Sequence, residues 1–103
     1  MSYTLGIDIG TYESKGLLVD SDGVIAAAAT NPHEMIVTRP GWAEHRTEKD
    51  WWGDTVRITR ELLADSGIDA RDIKAVAVSA IGPCMLPVDS YVSIEIVRLP
   101  QAM

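Results

Sequence analysis

The chain has 103 residues, of which 47% are hydrophobic and 23% charged, and its net charge is −6. This size gives at most one domain of ordinary globular composition. The acidic balance argues against a nucleic-acid partner, because binding to a phosphate backbone needs clustered Lys and Arg. Cys84 is the single cysteine, so an intramolecular disulfide is excluded.

The expected cellular compartment rests on features of secreted and membrane proteins that the sequence lacks. One cysteine agrees with a reducing environment, and the N-terminus has no basic stretch followed by an apolar run, as a secretory signal would have. The longest apolar run, residues 24–29, is too short to cross a bilayer. We therefore expect a soluble cytoplasmic protein without a membrane partner.

Three strands joined by short turns are predicted first along the chain. Each is a short, β-rich and mostly apolar run. A turn at residues 20–23 separates the second strand from the third, because Asp side chains bond nearby backbone groups and Gly23 tolerates positive φ. Strands in this order predict an antiparallel meander. The predicted strands are residues 3–9, 15–19 and 24–30.

One helix is predicted next, after an irregular segment over residues 31–46. Thr47 can cap a helix over residues 48–65, and Ser66-Gly67 is typical of a helix end. Apolar residues and threonines at helical spacing form a wide apolar stripe on this helix. The stripe contains Trp51, Trp52, Thr55, Val56, Ile58, Thr59, Leu62 and Leu63.

A buried strand over residues 74–80 follows the helix, and a strand in that position is expected to run parallel to an earlier one. Residues 84–88 and 91–98 give weaker strand patterns. The predicted order is therefore β-β-β-α-β, with a further strand after it.

The turn after the first strand carries the most informative pattern, GIDIGTYESK over residues 6–15. A P-loop would place Gly-Lys-Ser/Thr directly before a helix. Here Lys15 follows Ser14 and a strand pattern comes after it, so a P-loop is excluded.

A strand–turn–strand arrangement with the same chemistry remains open. Gly10 lets a phosphate approach its backbone N–H closely, Thr11 adds a hydroxyl and another N–H, and Lys15 supplies a point charge suited to a terminal phosphate. Asp8, at the end of the first strand, can hold Mg²⁺ directly or through water. Spacing alone fits an ordinary hairpin turn equally well, because these are common turn residues.

This segment resembles the first phosphate motif of the actin, Hsp70 and hexokinase superfamily, in which an apolar strand precedes Asp-x-Gly-Thr and a basic residue. The closer match is the FGGY family of carbohydrate kinases, on three further segments. Residues 39–45 (RPGWAEH) resemble its Pro-Gly-Trp-x-Glu segment, residues 72–79 resemble its fourth strand, and residues 86–89 resemble the Asp turn after that strand. The resemblance covers residues 3–89.

The resemblance implies an α/β fold of the ribonuclease-H-like class, with ATP and Mg²⁺ between two domains and a sugar or polyol as the phosphate acceptor. Asp8 matches the metal-associated acid of the family. Gly10, Thr11 and Lys15 match its contacts to the ATP phosphates. Residues 1–89 would form an incomplete first domain, and residues 90–103 a tail without an assigned role.

The loop after the fourth strand lies where the family binds its substrate. In this chain it offers no charged or amide side chain for sugar hydroxyls, so a substrate-binding loop and a purely structural loop both remain open. Its candidate substrate contacts are Ile81, Gly82, Pro83 and Cys84.

The resemblance also implies that a second kinase domain supplies the general base and the adenosine contacts, so the 103-residue chain alone is expected to be inactive. Two alternatives stay open beside a kinase: an inactive fragment or binding module, and an actin- or Hsp70-like ATPase without a sugar substrate. A homodimer is compatible with each.

Four residues of the irregular segment receive structural interpretations. His33 and His45 are twelve positions apart, a spacing without meaning for a metal site, and are expected at the surface. Trp42 is expected to pack and Glu44 to bond its own loop, with a place in the sugar site as the alternative.

Overall fold

A four-stranded mixed sheet is the frame of the protein, which the computed structural model describes over residues 1–82. The sheet has the order β3-β2-β1-β4, with β2 antiparallel to both its neighbours and β4 parallel to β1. The predicted meander and the parallel return are thereby confirmed. The strands are β1 (Tyr3–Ile9), β2 (Glu13–Asp20), β3 (Ile25–Pro32) and β4 (Ile73–Ala80), and the helix α1 is Gly53–Ser66.

The turn between β2 and β3 forms as predicted. The Asp20 carboxylate accepts hydrogen bonds from the backbone N–H groups of Asp22 at 2.8 Å and Val24 at 2.9 Å. Gly23 has a φ of 82°, which side chains with a Cβ rarely adopt. These hydrogen bonds and the conformation of Gly23 therefore reverse the chain direction between β2 and β3.

The start of the helical segment differs from the prediction, whereas its end agrees. Thr47–Trp52 is a π-helical turn, and regular α-helix begins only at Gly53. Thr47 is not a cap, because it is buried and its hydroxyl has no partner. Gly67 ends α1 with a φ of 69° and donates to the Leu63 carbonyl at 3.0 Å. No helix within residues 1–82 has the length and hydropathy to cross a membrane.

The core lies between α1 and one face of the sheet. Gly16 of β2 is buried there, and a Cβ at this position would overlap Ile58 Cγ2 and lie 3.1 Å from Leu62 Cδ1. Glycine thus allows α1 to approach the sheet closely. The buried hydrophobic side chains are Leu5, Ile7, Ile9, Leu18, Ala29, Ile58 and Leu62.

The apolar stripe of α1 is narrower than predicted. The row that faces the sheet is Asp54, Ile58 and Leu62, all fully buried, whereas Trp52 is 63% exposed. Trp52 precedes the regular helix and belongs to the π-helical turn, in which the 3.6-residue period used for the prediction does not hold.

The prediction that β4 is buried is wrong for the described part of the chain. Val76 and Val78 are 63% and 67% exposed. Their register places them beside Leu5 and Ile7 of β1, on the helix-bearing face. Helix α1 packs chiefly over β2 and β3, which leaves this edge of the sheet largely uncovered in the described part of the chain. The predicted strands at residues 84–88 and 91–98 lie outside the described residues.

We predict that Gly16→Ala lowers the free energy of unfolding by about 1–3 kcal/mol, because the new methyl overpacks the contact between α1 and β2. Gly6→Ala is the matched control, since a Cβ on that glycine in β1 meets nothing within 4 Å. Urea denaturation followed by circular dichroism measures both variants. Equal stabilities of the two would contradict this account of the helix packing.

Candidate functional site

Four polar side chains form a row across the face of the sheet opposite α1. Cross-strand partners share one face, and the register pairs Asp8 with Lys15 on one side and with Ser79 on the other, while Lys15 pairs with Thr30. The Ser79 hydroxyl donates to Asp8 Oδ1 at 2.7 Å. Asp8 and Lys15 are thus neighbours, and Ser79, to which the sequence assigned no role, lies beside them.

Lys15 is held only weakly in this row. Its Nζ lies 3.1 Å from Glu13 Oε1, and the two side chains are 55% and 47% exposed. An ion pair this open to water contributes about 0–1 kcal/mol. The ammonium can therefore leave Glu13 for a more highly charged partner such as a phosphate.

Asp8 fits a magnesium ion that a bound phosphate chain would share. The side chain is exposed to solvent. Within residues 1–82 no group of three or more His, Cys, Asp or Glu could hold a metal. Mg²⁺ commonly keeps several waters and takes one or two carboxylates together with substrate phosphates, so a single carboxylate suits this use and does not suit a metal held by protein alone.

Gly10 closes the turn between β1 and β2. Its N–H donates to the Glu13 carbonyl at 2.8 Å, and a Cβ on Gly10 would lie 2.8 Å from that same oxygen. Only glycine allows this close approach of backbone to backbone. The Gly10 N–H was predicted to meet a phosphate, but in this conformation it is bonded inside the turn.

A buried carboxylate, that of Asp54, lies beneath the turn. It is 0% exposed, and each of its oxygens accepts from two side chains, so its hydrogen-bonding capacity is filled, as a buried charge requires. The donors are Ser14 Oγ at 2.8 Å, His33 Nδ1 at 2.8 Å, Asn31 Nδ2 at 2.7 Å and the Arg57 guanidinium.

Asp54 was not among the predicted site residues, although the sequence contains a signal for it. Asp54 precedes Ile58 by four residues and Leu62 by eight, so all three share one face of a helix. A carboxylate on the apolar face of a predicted helix must find buried donors, and that requirement would have pointed to polar residues nearby.

The prediction that both histidines lie at the surface is wrong for His33 and only half right for His45. The His33 side chain is 1% exposed, and its Nε2 lies 2.8 Å from the Gly10 carbonyl oxygen. His45 is half-buried, and its Nε2 lies 2.9 Å from the Thr11 carbonyl oxygen. Both residues reach back to the turn because the irregular segment folds over it.

The loop over residues 39–45 is tied to itself. Glu44 and Ile36 exchange two backbone hydrogen bonds, each 2.8 Å long, and the Arg39 guanidinium lies over the Trp42 ring at 5.1 Å. The expectation that Glu44 bonds its own loop is met.

The candidate substrate loop begins at the same end of the sheet as Asp8. The Ile81 N–H donates to the Ile9 carbonyl at 2.9 Å, and Gly82 is exposed. Pro83 and Cys84 lie outside the described residues.

A groove of about 480 Å³ offers a second group of cations, Arg46, Lys49 and Arg57. Two of the three are already paired, Arg46 with Asp50 at 2.9 Å and Arg57 with Asp54. The groove is therefore a weaker candidate for phosphate than the open Lys15.

Comparisons with known proteins agree on one family. The family model for the N-terminal domain of the FGGY carbohydrate kinases matches residues 3–92. Glycerol kinase of Bradyrhizobium diazoefficiens is 39% identical over 79 residues, which are 77% of this chain but 16% of that protein. The chain thus spans under a fifth of the length of this curated relative.

Solved structures agree on the fold. The xylulose kinase from Rhodospirillum rubrum superposes with a TM-score of 0.80 at 24% identity, over 96% of this chain and 20% of that one. The ligand-bound xylulose kinase from Lactobacillus acidophilus gives a TM-score of 0.79 at 26% identity, over 91% and 18%. The predicted incomplete ribonuclease-H-like α/β domain is confirmed.

We predict that Asp54→Ala lowers the free energy of unfolding by about 3–5 kcal/mol, because it leaves the buried donors of Ser14 and His33 and the partly buried donor of Asn31 without their acceptor. Asp65→Ala, at an exposed position of the same helix, should stay within about 0.5 kcal/mol of the wild type. Thermal and urea denaturation measure the difference. An Asp54→Ala protein as stable as Asp65→Ala would show that the cluster does not hold the fold.

Proposed function

The chain belongs to the FGGY family of carbohydrate kinases, and we propose that it forms the phosphate-binding portion of an enzyme that transfers the γ-phosphate of ATP to a hydroxyl of a sugar or polyol. The observation that carries this proposal is the row of Asp8, Lys15 and Ser79 beside the turn that Gly10 closes.

Phosphoryl transfer depends chiefly on positioning and on stabilisation of charge. In our proposal Lys15 leaves Glu13 and pairs with an oxygen of the terminal phosphates, while Thr11 contributes its hydroxyl and its N–H. Gly10 fixes the tight turn that brings these groups together. Mg²⁺, when bound, neutralises phosphate charge, and Asp8 would hold it directly or through water, with Ser79 fixing one carboxylate oxygen.

The acceptor belongs to the sugar or polyol class, because the relatives are named for glycerol and xylulose. Ile81 and Gly82 lie at the end of the sheet near Asp8. Together with Pro83 and Cys84, they are proposed to line the acceptor pocket. The sequence of this loop contains no amide or charged side chain.

Residues 1–89 are proposed to form part of the first of two domains. The chain covers 16% of its glycerol kinase relative, so we propose that the isolated polypeptide binds phosphates without transferring them, and that a cytoplasmic enzyme of full length carries the general base. An ATPase that needs no acceptor is disfavoured by the match to a carbohydrate kinase family.

The test is turnover by the complete enzyme that contains this chain, measured as ADP release with a panel of pentoses and polyols. Asp8→Ala should lower kcat by about a thousandfold, because the carboxylate that holds the metal is lost. Asp22→Ala, the same change in the turn between β2 and β3, should leave kcat unchanged.

Two results would contradict the proposal. ADP release that no sugar or polyol stimulates would make the enzyme a simple ATPase. An Asp8→Ala variant that turns over at the wild-type rate would show that Asp8 does not hold the metal.

A further inference from the structure

Four successive carbonyl groups of the turn between β1 and β2 are all held from inside the protein. The His33 and His45 rings bind the first two, at 2.8 and 2.9 Å. The backbone N–H groups of His33 and Gly10 bind the third and fourth, each at 2.8 Å. The four carbonyls are those of Gly10, Thr11, Tyr12 and Glu13.

The position of a carbonyl fixes the direction of an N–H. In a trans peptide the C=O of one residue and the N–H of the next lie in one plane and point in opposite directions. The Gly10 carbonyl shares its plane with the Thr11 N–H, and the Thr11 carbonyl shares its plane with the Tyr12 N–H. Since both carbonyls point to the histidines, both N–H groups point away from them.

These two N–H groups are open to a ligand. Neither has a backbone acceptor within residues 1–82, and the Tyr12 residue is 64% exposed. Successive backbone N–H groups on one side of a turn form a concavity that binds anions. The turn therefore presents donors on its outer side while its acceptors are occupied on its inner side.

We propose that His33 and His45 are positioning residues, which orient the turn so that the N–H groups of Thr11 and Tyr12 bind a phosphate group of the nucleotide. The inference rests on the proposed function, because it adds the Tyr12 N–H to the Thr11 N–H at the same phosphate site and names the residues that orient both. The histidines themselves do not touch the ligand.

His33 is fixed at both ring nitrogens. Its Nδ1 lies 2.8 Å from Asp54 Oδ2 and its Nε2 lies 2.8 Å from the Gly10 carbonyl oxygen. Each ring nitrogen therefore lies within hydrogen-bonding distance of an oxygen atom. Any rotation of the ring would break one bond with Asp54 or with the turn, so the buried carboxylate determines where the Gly10 carbonyl points.

His45 is fixed by ring contacts instead. It meets the His33 ring edge-on, with centroids 5.5 Å apart and planes at 88°. On the other side the Trp51 ring lies 5.8 Å away, tilted by 36°. The His45 ring can be replaced without leaving a buried charge unpaired, whereas replacing His33 would remove a partner of Asp54. His45 is therefore the better residue for a test.

Two substitutions separate the hydrogen bond of His45 from its packing. His45→Phe keeps an aromatic ring and removes the donor, whereas His45→Gln removes the ring and keeps an N–H donor of similar reach. The probe is inorganic triphosphate with Mg²⁺, titrated into the 103-residue chain by calorimetry. We expect the Kd to rise about two- to tenfold in His45→Phe, the worth of one hydrogen bond, and to stay near the wild-type value in His45→Gln.

Nuclear magnetic resonance supplies a readout that a merely structural role would not move. In the wild-type chain, triphosphate should shift the amide protons of Thr11 and Tyr12 downfield more than those of other residues. Without ligand, the carbonyl carbon of Thr11 should shift upfield in His45→Phe and not in His45→Gln. The amide measurement needs no variant, so it holds even where His45→Phe does not fold.

The inference is overturned by saturable triphosphate binding that leaves both amides unshifted, or by His45→Phe binding as tightly as the wild type. Lys15→Met distinguishes this failure from failure of the proposed function. If the wild type binds and Lys15→Met weakens binding, the phosphate site stands whether or not the histidines position it. If the wild type shows no saturable binding, the phosphate site itself fails, and the histidine inference fails with it.

Discussion

The carboxylate of Asp54 is the interaction on which the rest of the structure depends. Removing a charged group from water costs several kcal/mol, and only good geometry with filled hydrogen bonds repays it. Asp54 meets that condition at one place, where donors from β2, β3, the irregular segment and α1 converge on its two oxygens. Helix α1 is thereby fixed in rotation, and Ile58 is set against Gly16.

The alternation of side chains along β2 links this packing to the site. Successive residues of a strand point to opposite faces of the sheet, so Ser14 and Gly16 face the helix while Lys15 faces the other side. Ser14 donates to Asp54 and Gly16 admits Ile58, and both constraints hold the strand in one register. A slip by one residue would turn Lys15 into the core and away from Asp8.

Local signals explain what could be predicted from the sequence. The bounds of β1 were predicted correctly, and so were the turn at Gly23 and the helix end at Gly67, because each depends on the chemistry of a few adjacent residues. The burial of His33 could not be predicted in this way, since it depends on Asp54, which lies 21 residues away. The exposure of β4 depends likewise on how far α1 reaches across the sheet, which no local pattern encodes. The roles of Asp8, Gly10, Thr11 and Lys15 stay predictions.

The most direct test of the central claim is a crystal structure of the protein with a non-hydrolysable ATP analogue and Mn²⁺, whose anomalous signal locates the metal. The account predicts phosphate oxygens about 3 Å from Lys15 Nζ and from the N–H groups of Thr11 and Tyr12, with manganese beside Asp8. Phosphates bound instead in the groove of Arg46, Lys49 and Arg57, with Lys15 still on Glu13, would contradict it.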